Sequence, residues 1–198
     1  MTRIVGGIAG GRRLRTPPGD RTRPTSDRVR EALFSTAESM LGGWEGLHVL
    51  DLYAGTGALG LEALSRGVRR AVFVESHRRT AMLVQANARD LGLDGAEVAA
   101  RTVQGHLARR RAGQEPSFDV VFADPPYGVP TDELRDVLTW LVQGDWLSED
   151  ALVVVERSRR SGDLEWPAGL EPISRRSYGE TVLWYGRRCD PPGGPAQD

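Results

Sequence analysis

The chain has no lysine: all 26 of its basic residues are arginine. That pattern follows a GC-rich coding bias, so the count carries little functional meaning; the positions of the arginines carry more. Cysteine is nearly absent. The single Cys189 excludes a disulfide framework and a cysteine-based metal site, and it fits a reducing cytoplasm. No apolar run approaches the ~20 residues of a membrane span, and the N-terminus lacks the apolar core of a signal sequence. There is no internal repeat. What remains is 198 residues with 27% charged side chains and a net charge of −1, enough for one α/β domain with a sizeable core.

Charge is unevenly distributed. Residues 1–30 hold eight arginines (3, 12, 13, 15, 21, 23, 28 and 30) against Asp20 and Asp27, a net of +6, which leaves −7 on the rest. A basic arm on an acidic domain points to an anionic partner for the arm. Residues 1–24 are also rich in glycine and proline. Gly6-Gly7 and Gly10-Gly11 permit tight turns, Arg12 to Arg15 reads as a short strand, and Pro17-Pro18-Gly19 breaks it. Such a segment is either a solvated tail or an arm that folds over the domain and contacts phosphates.

Downstream, strands and helices alternate. Thr25-Ser26-Asp27 offers N-cap residues to a helix with Val29, Leu33, Ala37 and Met40-Leu41 on one face, closed by Gly42-Gly43. Residues 47–52 form the first strand and Leu61 to Gly67 lie in the next helix. A second strand covers 71–75, a helix 80–91, a weaker strand 97–103, and a short helix starts at Gly105 with Arg109-Arg110-Arg111 at its end. Those arginines suit a helix C-terminus. A strand at 118–123, a helix at 132–142 and a strand at 151–156 follow. After a loop over 158–169, residues 173–178 and 181–185 read as a hairpin about Gly179-Glu180. Residues 189–198 read as a disordered tail.

The most informative stretch is Phe118 to Tyr127. A β-branched and aromatic strand ends in Asp124-Pro125-Pro126-Tyr127. Neither proline has an N–H to extend the ladder, so a carboxylate, a rigid backbone and a phenol ring stand at the carboxyl end of a core strand. In open α/β sheets ligands bind at that end. The set suits an exocyclic amine on a nucleobase, whose lone pair is delocalised into the ring. Asp124 can accept one N–H and a carbonyl of the turn the other, while Tyr127 stacks on the base. Asp190-Pro191-Pro192-Gly193 repeats the first three letters but follows no strand and lacks the aromatic.

The first strand runs into Tyr53-Ala54-Gly55-Thr56-Gly57-Ala58-Leu59-Gly60, a glycine-rich turn at a helix N-terminus. Gly55-x-Gly57-x-x-Gly60 also fits the dinucleotide fingerprint, which alone is weak. Asp51 at the strand end can reach a ligand's ammonium group, and dinucleotide phosphates would be repelled by it. Glu75, 20 residues after Gly55, can bind both hydroxyls of a ribose. His106 is a single histidine that could contact ligand.

These segments occur in an order that resembles the RsmD family, bacterial methyltransferases acting on a guanine N2 of 16S ribosomal RNA. The shared stretches are Arg3 to Gly7, Arg23 to Phe34, Asp51 to Gly60, Asp124 to Tyr127 and Tyr178 to Thr181. The resemblance implies the Rossmann-like, seven-stranded class I fold of methyltransferases dependent on S-adenosylmethionine. The resemblance covers about residues 3–186; composition and patterning divide the chain into a basic arm at 1–24, a methyltransferase domain at 25–188 and a tail at 189–198. The resemblance implies cofactor contacts from Asp51, Tyr53, Ala54, Gly55, Thr56, Gly57, Glu75, Ser76 and His106, and chemistry at Asp124, Pro125, Pro126 and Tyr127. Arg3, Arg12, Arg13, Arg15, Arg23, Arg28 and Arg30 are the implied RNA contacts. The implied partner is 16S rRNA or an assembly intermediate of the small subunit, met by a cytoplasmic monomer with no metal. Gly105-His106-Leu107 stands where family members often carry an acid for the adenine amino group. A DNA adenine-N6 or cytosine-N4 methyltransferase and a nicotinamide oxidoreductase are the rival readings.

Overall fold

The computed structural model describes residues 2–17, 26–109, 117–126 and 128–189. In chain order its elements are α1 (Asp27–Leu41), β1 (His48–Leu52), α2 (Ala58–Ser65), β2 (Arg70–Glu75), α3 (Arg78–Leu91), β3 (Ala96–Ala100), α4 (Val103–Leu107), β4 (Phe118–Ala123), α5 (Thr131–Gln143), β5 (Leu147–Ser158), a short 3-10 turn (Arg159–Ser161), β6 (Leu170–Tyr178) and β7 (Thr181–Arg188). Tyr127, Arg23, Arg110 and Arg111, and the tail from 190 onward, lie outside the described residues, as does the arm beyond residue 17.

The strands form one sheet in the order β3-β2-β1-β4-β5-β7-β6. The first five in sequence are parallel, and β7 enters antiparallel between β5 and β6. The chain moves outward from β1 to β3, then returns to place β4 on the other side of β1. That reversal makes the carboxyl ends of β1 and β4 a topological switch point, where two diverging loops leave a crevice. The expected seven-stranded α/β fold is borne out.

Both faces of the sheet are buried, which is why its central strands read as continuous apolar runs. Phe34, Leu61, Phe73, Val84 and Phe122 pack on the face covered by α1, α2 and α3. Val74, Val121, Leu134, Leu138 and Trp146 pack on the face covered by α4 and α5. The capping read from the sequence is present: the Ser26 hydroxyl accepts from Val29 N–H at 3.3 Å, and Gly42 ends α1 with a left-handed φ of 78°.

Three boundaries differ. The strand expected over 97–103 ends at Ala100, because the Thr102 hydroxyl caps α4 by accepting from Gly105 N–H at 3.1 Å. β-Branched Thr102 and Val103 look like strand residues until that cap is seen. β5 is much longer than 151–156. Leu147 already pairs with Phe118, and the polar Ser148-Glu149-Asp150 that hides it in the sequence accompanies a register shift and a φ of 59° at Asp150. The hairpin strands likewise extend to Leu170 and Arg188.

The described part of the arm folds over the domain. Arg3 and Arg13 form an antiparallel bridge, with Ile4 N–H donating to Arg12 at 2.9 Å and Leu14 N–H to Thr2 at 2.9 Å. Ile4, Ala9 and Leu14 are buried in the same cluster as Phe34 and Phe73. Gly7 has a φ of 72° and lies so close to α2 that a Cβ there would fall 1.9 Å from the Ser65 carbonyl oxygen. Only glycine fits.

Candidate active site

Sheet register brings the sequence-predicted acids to one edge. Leu52 pairs with both Val74 and Ala123, and Ala123 pairs with Val155. The next residues, Tyr53, Glu75, Asp124 and Glu156, therefore stand at one level across four adjacent parallel strands. Asp51 lies two residues below that level. Glu156 was not singled out from the sequence; an acid directly after the apolar run 151–155 was the available signal.

Asp51 is 1% exposed, and its Oδ2 accepts from Gly60 N–H at 2.9 Å. Its carboxylate braces the first turn of α2. Burial pushes its pKa up to about 7, opposed by the Gly60 hydrogen bond and assisted by the charge of Glu75. Gly60 itself must lack a side chain, since a Cβ would meet the Phe73 ring at 2.3 Å. Between them the chain turns through positive φ at Tyr53 (60°), Gly55 (54°) and Gly57 (82°). A non-glycine residue held there is the backbone strain found at ligand-binding turns. Glu75 fastens the turn from the next strand: Oε2 accepts from Gly55 N–H at 2.9 Å and Oε1 from His77 N–H at 2.7 Å. A carboxylate has about four acceptor positions, so both oxygens can still receive ribose hydroxyls. Ser76 is exposed beside it.

Asp124 is half-buried at the end of β4. Burial holds its carboxyl well above the usual range, and the charges of Glu156 and then Asp51 push the same way. Pro125 is buried and Pro126 exposed, with the Pro126 carbonyl accepting from Val129 N–H at 3.0 Å. Arg157, missed in the sequence, holds the loop that returns to α5. It is 9% exposed and donates to the Val129 carbonyl at 3.2 Å and to Thr131 Oγ1 at 3.3 Å. Beside it opens a cleft of about 520 Å³ bounded by residues 128–131, Arg157, Ser158, Arg160 and Ser161.

His106 is a correction. Its ring packs 5.1 Å from Trp146, which stacks on Phe118, the first residue of β4. Those rings belong to the core on the face covered by α4 and α5, so the His106 ring is engaged in packing there. The five-residue α4 carries it down the face of the sheet.

A family model described as conserved hypothetical protein 95 matches residues 2–187. The chain belongs to this family. The ribosomal RNA small subunit methyltransferase D of Escherichia coli (strain K12) is 34% identical over 160 residues, covering 81% of this chain and 76% of that one. The protein of the same name from Haemophilus influenzae is 34% identical over 159 residues, 79% of each chain. The solved structure of Escherichia coli yhhF superposes with a TM-score of 0.80 at 30% identity, covering 94% of this chain and 97% of that one. The RsmD resemblance carried by the motifs is borne out by these relatives.

The match to the conserved hypothetical protein 95 family begins at residue 2, and the arm is correspondingly built into the domain. Buried Glu62 on α2 accepts from Val5 N–H at 2.6 Å and Gly6 N–H at 2.7 Å, and pairs with Arg66 at 3.0 Å. Buried Asn87 on α3 accepts from Arg15 N–H at 2.8 Å and donates to the Thr56 carbonyl at 3.1 Å, joining arm to glycine turn. Arg30 is a second correction. It is 1% exposed, bonded to Asp27 at 2.7 Å and to the Arg3 carbonyl, and lies 3.9 Å from Glu62. It is a structural cation, not one offered to RNA. Arg3 pairs with Asp27 at 2.7 Å, Arg15 with Asp90 at 2.6 Å, and Arg12 donates to the Leu91 and Asp90 carbonyls. Arg13 and Arg28 are exposed.

Proposed function

We propose that this chain transfers a methyl group from S-adenosylmethionine to the exocyclic N2 of a guanine in small-subunit ribosomal RNA. One observation carries the reading: Asp124 stands at the switch point, level with Glu75 and within electrostatic reach of Asp51 and Glu156. Neighbouring acid charges that push the Asp51 and Asp124 carboxyls up favour a cationic ligand. When bound, S-adenosylmethionine supplies an electrophilic methyl on a sulfonium, whose leaving thioether needs no metal. Its ammonium group and phosphate-free skeleton also suit a glycine turn backed by Asp51 better than a dinucleotide would.

The chain's own residues then position the partners. Glu75 receives the ribose hydroxyls, and residues 53–57 lay their backbone against the ligand. A guanine leaves its stack and enters between the glycine turn and Asp124. Asp124 accepts one amine N–H. The Pro126 carbonyl is held by Val129, which leaves the Asp124 or Pro125 carbonyl for the other. Two acceptors in the base plane turn the nitrogen lone pair outward, toward the electrophile; once methylated the nitrogen is acidic and loses its extra proton afterwards, so alignment is the main catalytic contribution. Tyr127 is assigned to stacking on the base. The relatives named for small-subunit rRNA support that RNA class as the substrate; 16S rRNA, free or in an assembly intermediate, met by a cytoplasmic monomer, is part of the proposal.

The test is methylation of small-subunit rRNA with isotopically labelled cofactor, followed by digestion and mass spectrometry. N2-methylguanosine is expected. N6-methyladenosine or N4-methylcytidine would refute the base assignment while leaving the cofactor in place.

A further inference from the structure

Arg157 poses an electrostatic problem that the proposed chemistry does not use. It is 9% exposed, yet the groups its guanidinium donates to are not carboxylates. Its hydrogen bonds go to a neutral carbonyl and a hydroxyl, and burial already works against its charge. A guanidinium has five donors, of which these use two. Buried charges are ordinarily paired.

On the side of the larger cleft no acid offsets it. The cleft beside Arg157 is lined by Gly128, Thr131, Ser158, Arg160 and Ser161 and by no acid. Arg160 stands at its rim, bound to Glu180 at 3.4 Å, with side chains 87% and 58% exposed. Such a surface pair contributes little and is readily exchanged. Two cations and three hydroxyls around an open cleft match a phosphodiester. A smaller pocket lined by Asp124, Pro125, Pro126 and Glu156 shares Arg157, Ser158 and Ser161 with this cleft. The polarity therefore changes abruptly over a short distance, from acids at the end of β4 to cations beyond Arg157. A nucleotide has the same polarity: an amine on its base and an anion on its backbone.

We infer that the cleft between the β4–α5 loop and the 3-10 turn after β5 binds a backbone phosphate of the single-stranded RNA whose base enters at Asp124, held by Arg157 and Arg160. The inference rests on the proposed methyl transfer and adds the side of the pocket from which the strand arrives. It also moves the main phosphate contact from Arg3, Arg12 and Arg15, which are engaged within the chain, to the carboxyl end of β5.

Binding of a fluorescein-labelled single-stranded RNA, titrated over a range of salt concentrations, tests it. Arg160→Ala should weaken binding about tenfold, as loss of a charge-assisted contact does, and should reduce the slope of log K against log salt by about 0.7. Arg157→Lys keeps the charge and loses the fork, so the slope should stay while affinity falls. Arg89→Ala, at an exposed site on α3, controls for the loss of one charge anywhere. A slope for Arg160→Ala equal to those of wild type and Arg89→Ala would overturn the phosphate site and leave the methyl transfer intact. Conversely, Arg160-dependent RNA binding by a protein that never methylates guanine would uphold this site and sink the proposed reaction.

Discussion

Asp124 concentrates the chemistry in one side chain. Burial and the charges of Glu156 and Asp51 favour its protonated form, yet an amine N–H is best accepted by an oxygen with free lone pairs. Turnover of the wild type should therefore rise with pH as Asp124 ionises. Asp124→Asn retains an amide oxygen and should keep substantial activity with that limb of the pH profile flattened. Asp124→Ala removes the acceptor and should lower kcat by about a hundredfold or more, with cofactor affinity largely kept. Asp51 makes the opposite kind of statement, about stability. Its pKa rises from 3.8 to about 7 on folding, so the folded state holds the proton more tightly. The stability it contributes is complete below about pH 3.8 and lost as pH rises through about 7. Across that window the wild type should fall relative to Asp51→Asn by up to about 4 kcal/mol. Urea denaturation of both proteins at a series of pH values reads this directly. A constant difference would mean that Asp51 does not titrate there.

Among the elements, α2 explains how arm, glycine turn and sheet become one unit. Its residues from Leu59 to Ser65 are all buried, because the sheet covers one side and the arm the other. An apolar helix with a single glutamate signals such two-sided burial, and Glu62 is the residue that stitches the second side. Truncating it strands two backbone N–H groups and takes the buried acid from between Arg30 and Arg66, leaving Arg30 with half-exposed Asp27 and Arg66 with exposed Glu38. Glu62→Ala should destabilise the protein by about 3–5 kcal/mol, with Glu62→Gln milder, and protease cleavage within residues 2–17 should accelerate. If denaturation midpoints and cleavage rates match the wild type, the arm is held by its apolar residues alone. The arginines of the arm belong to this scale as well: Arg30 lies in the clasp, and Arg12 and Arg15 tie the arm to the end of α3.

At the scale of the whole molecule, the parallel sheet gathers acids from four strands at one edge, and a cation should relieve their repulsion. S-adenosylmethionine should raise the melting temperature with the logarithm of its concentration above Kd, by mass action, and NAD should not. Because a cationic ligand favours the ionised acids, its affinity should increase from about pH 6 to pH 8, the range around the pKa of Asp51. Differential scanning fluorimetry at two pH values measures both effects. Equal stabilisation by NAD would restore the dinucleotide reading of Gly55-x-Gly57-x-x-Gly60.

Much of this was legible in the chain. Apolar runs at 71–74 and 120–123, and one at 49–52 broken only by Asp51, mark strands buried on both faces, and an acid or glycine turn directly after each marks the ligand edge. Those are local properties: side-chain type and backbone permission act within a few residues. Tertiary structure decided what depends on partners far apart in sequence. Arg30 and Arg28 look alike two residues apart on a helix, but only one faces Glu62. His106 looked like a ligand contact until α4 carried it to Trp146. β5 was cut short in the reading because Ser148 to Asp150 are polar, whereas Leu147 pairs with Phe118 across the sheet. Arg157 gave no signal at all, since the charge of an arginine says nothing about whether an acid will fold beside it. Burial and pairing are set by the whole packed chain, and so is the polarity of the cleft.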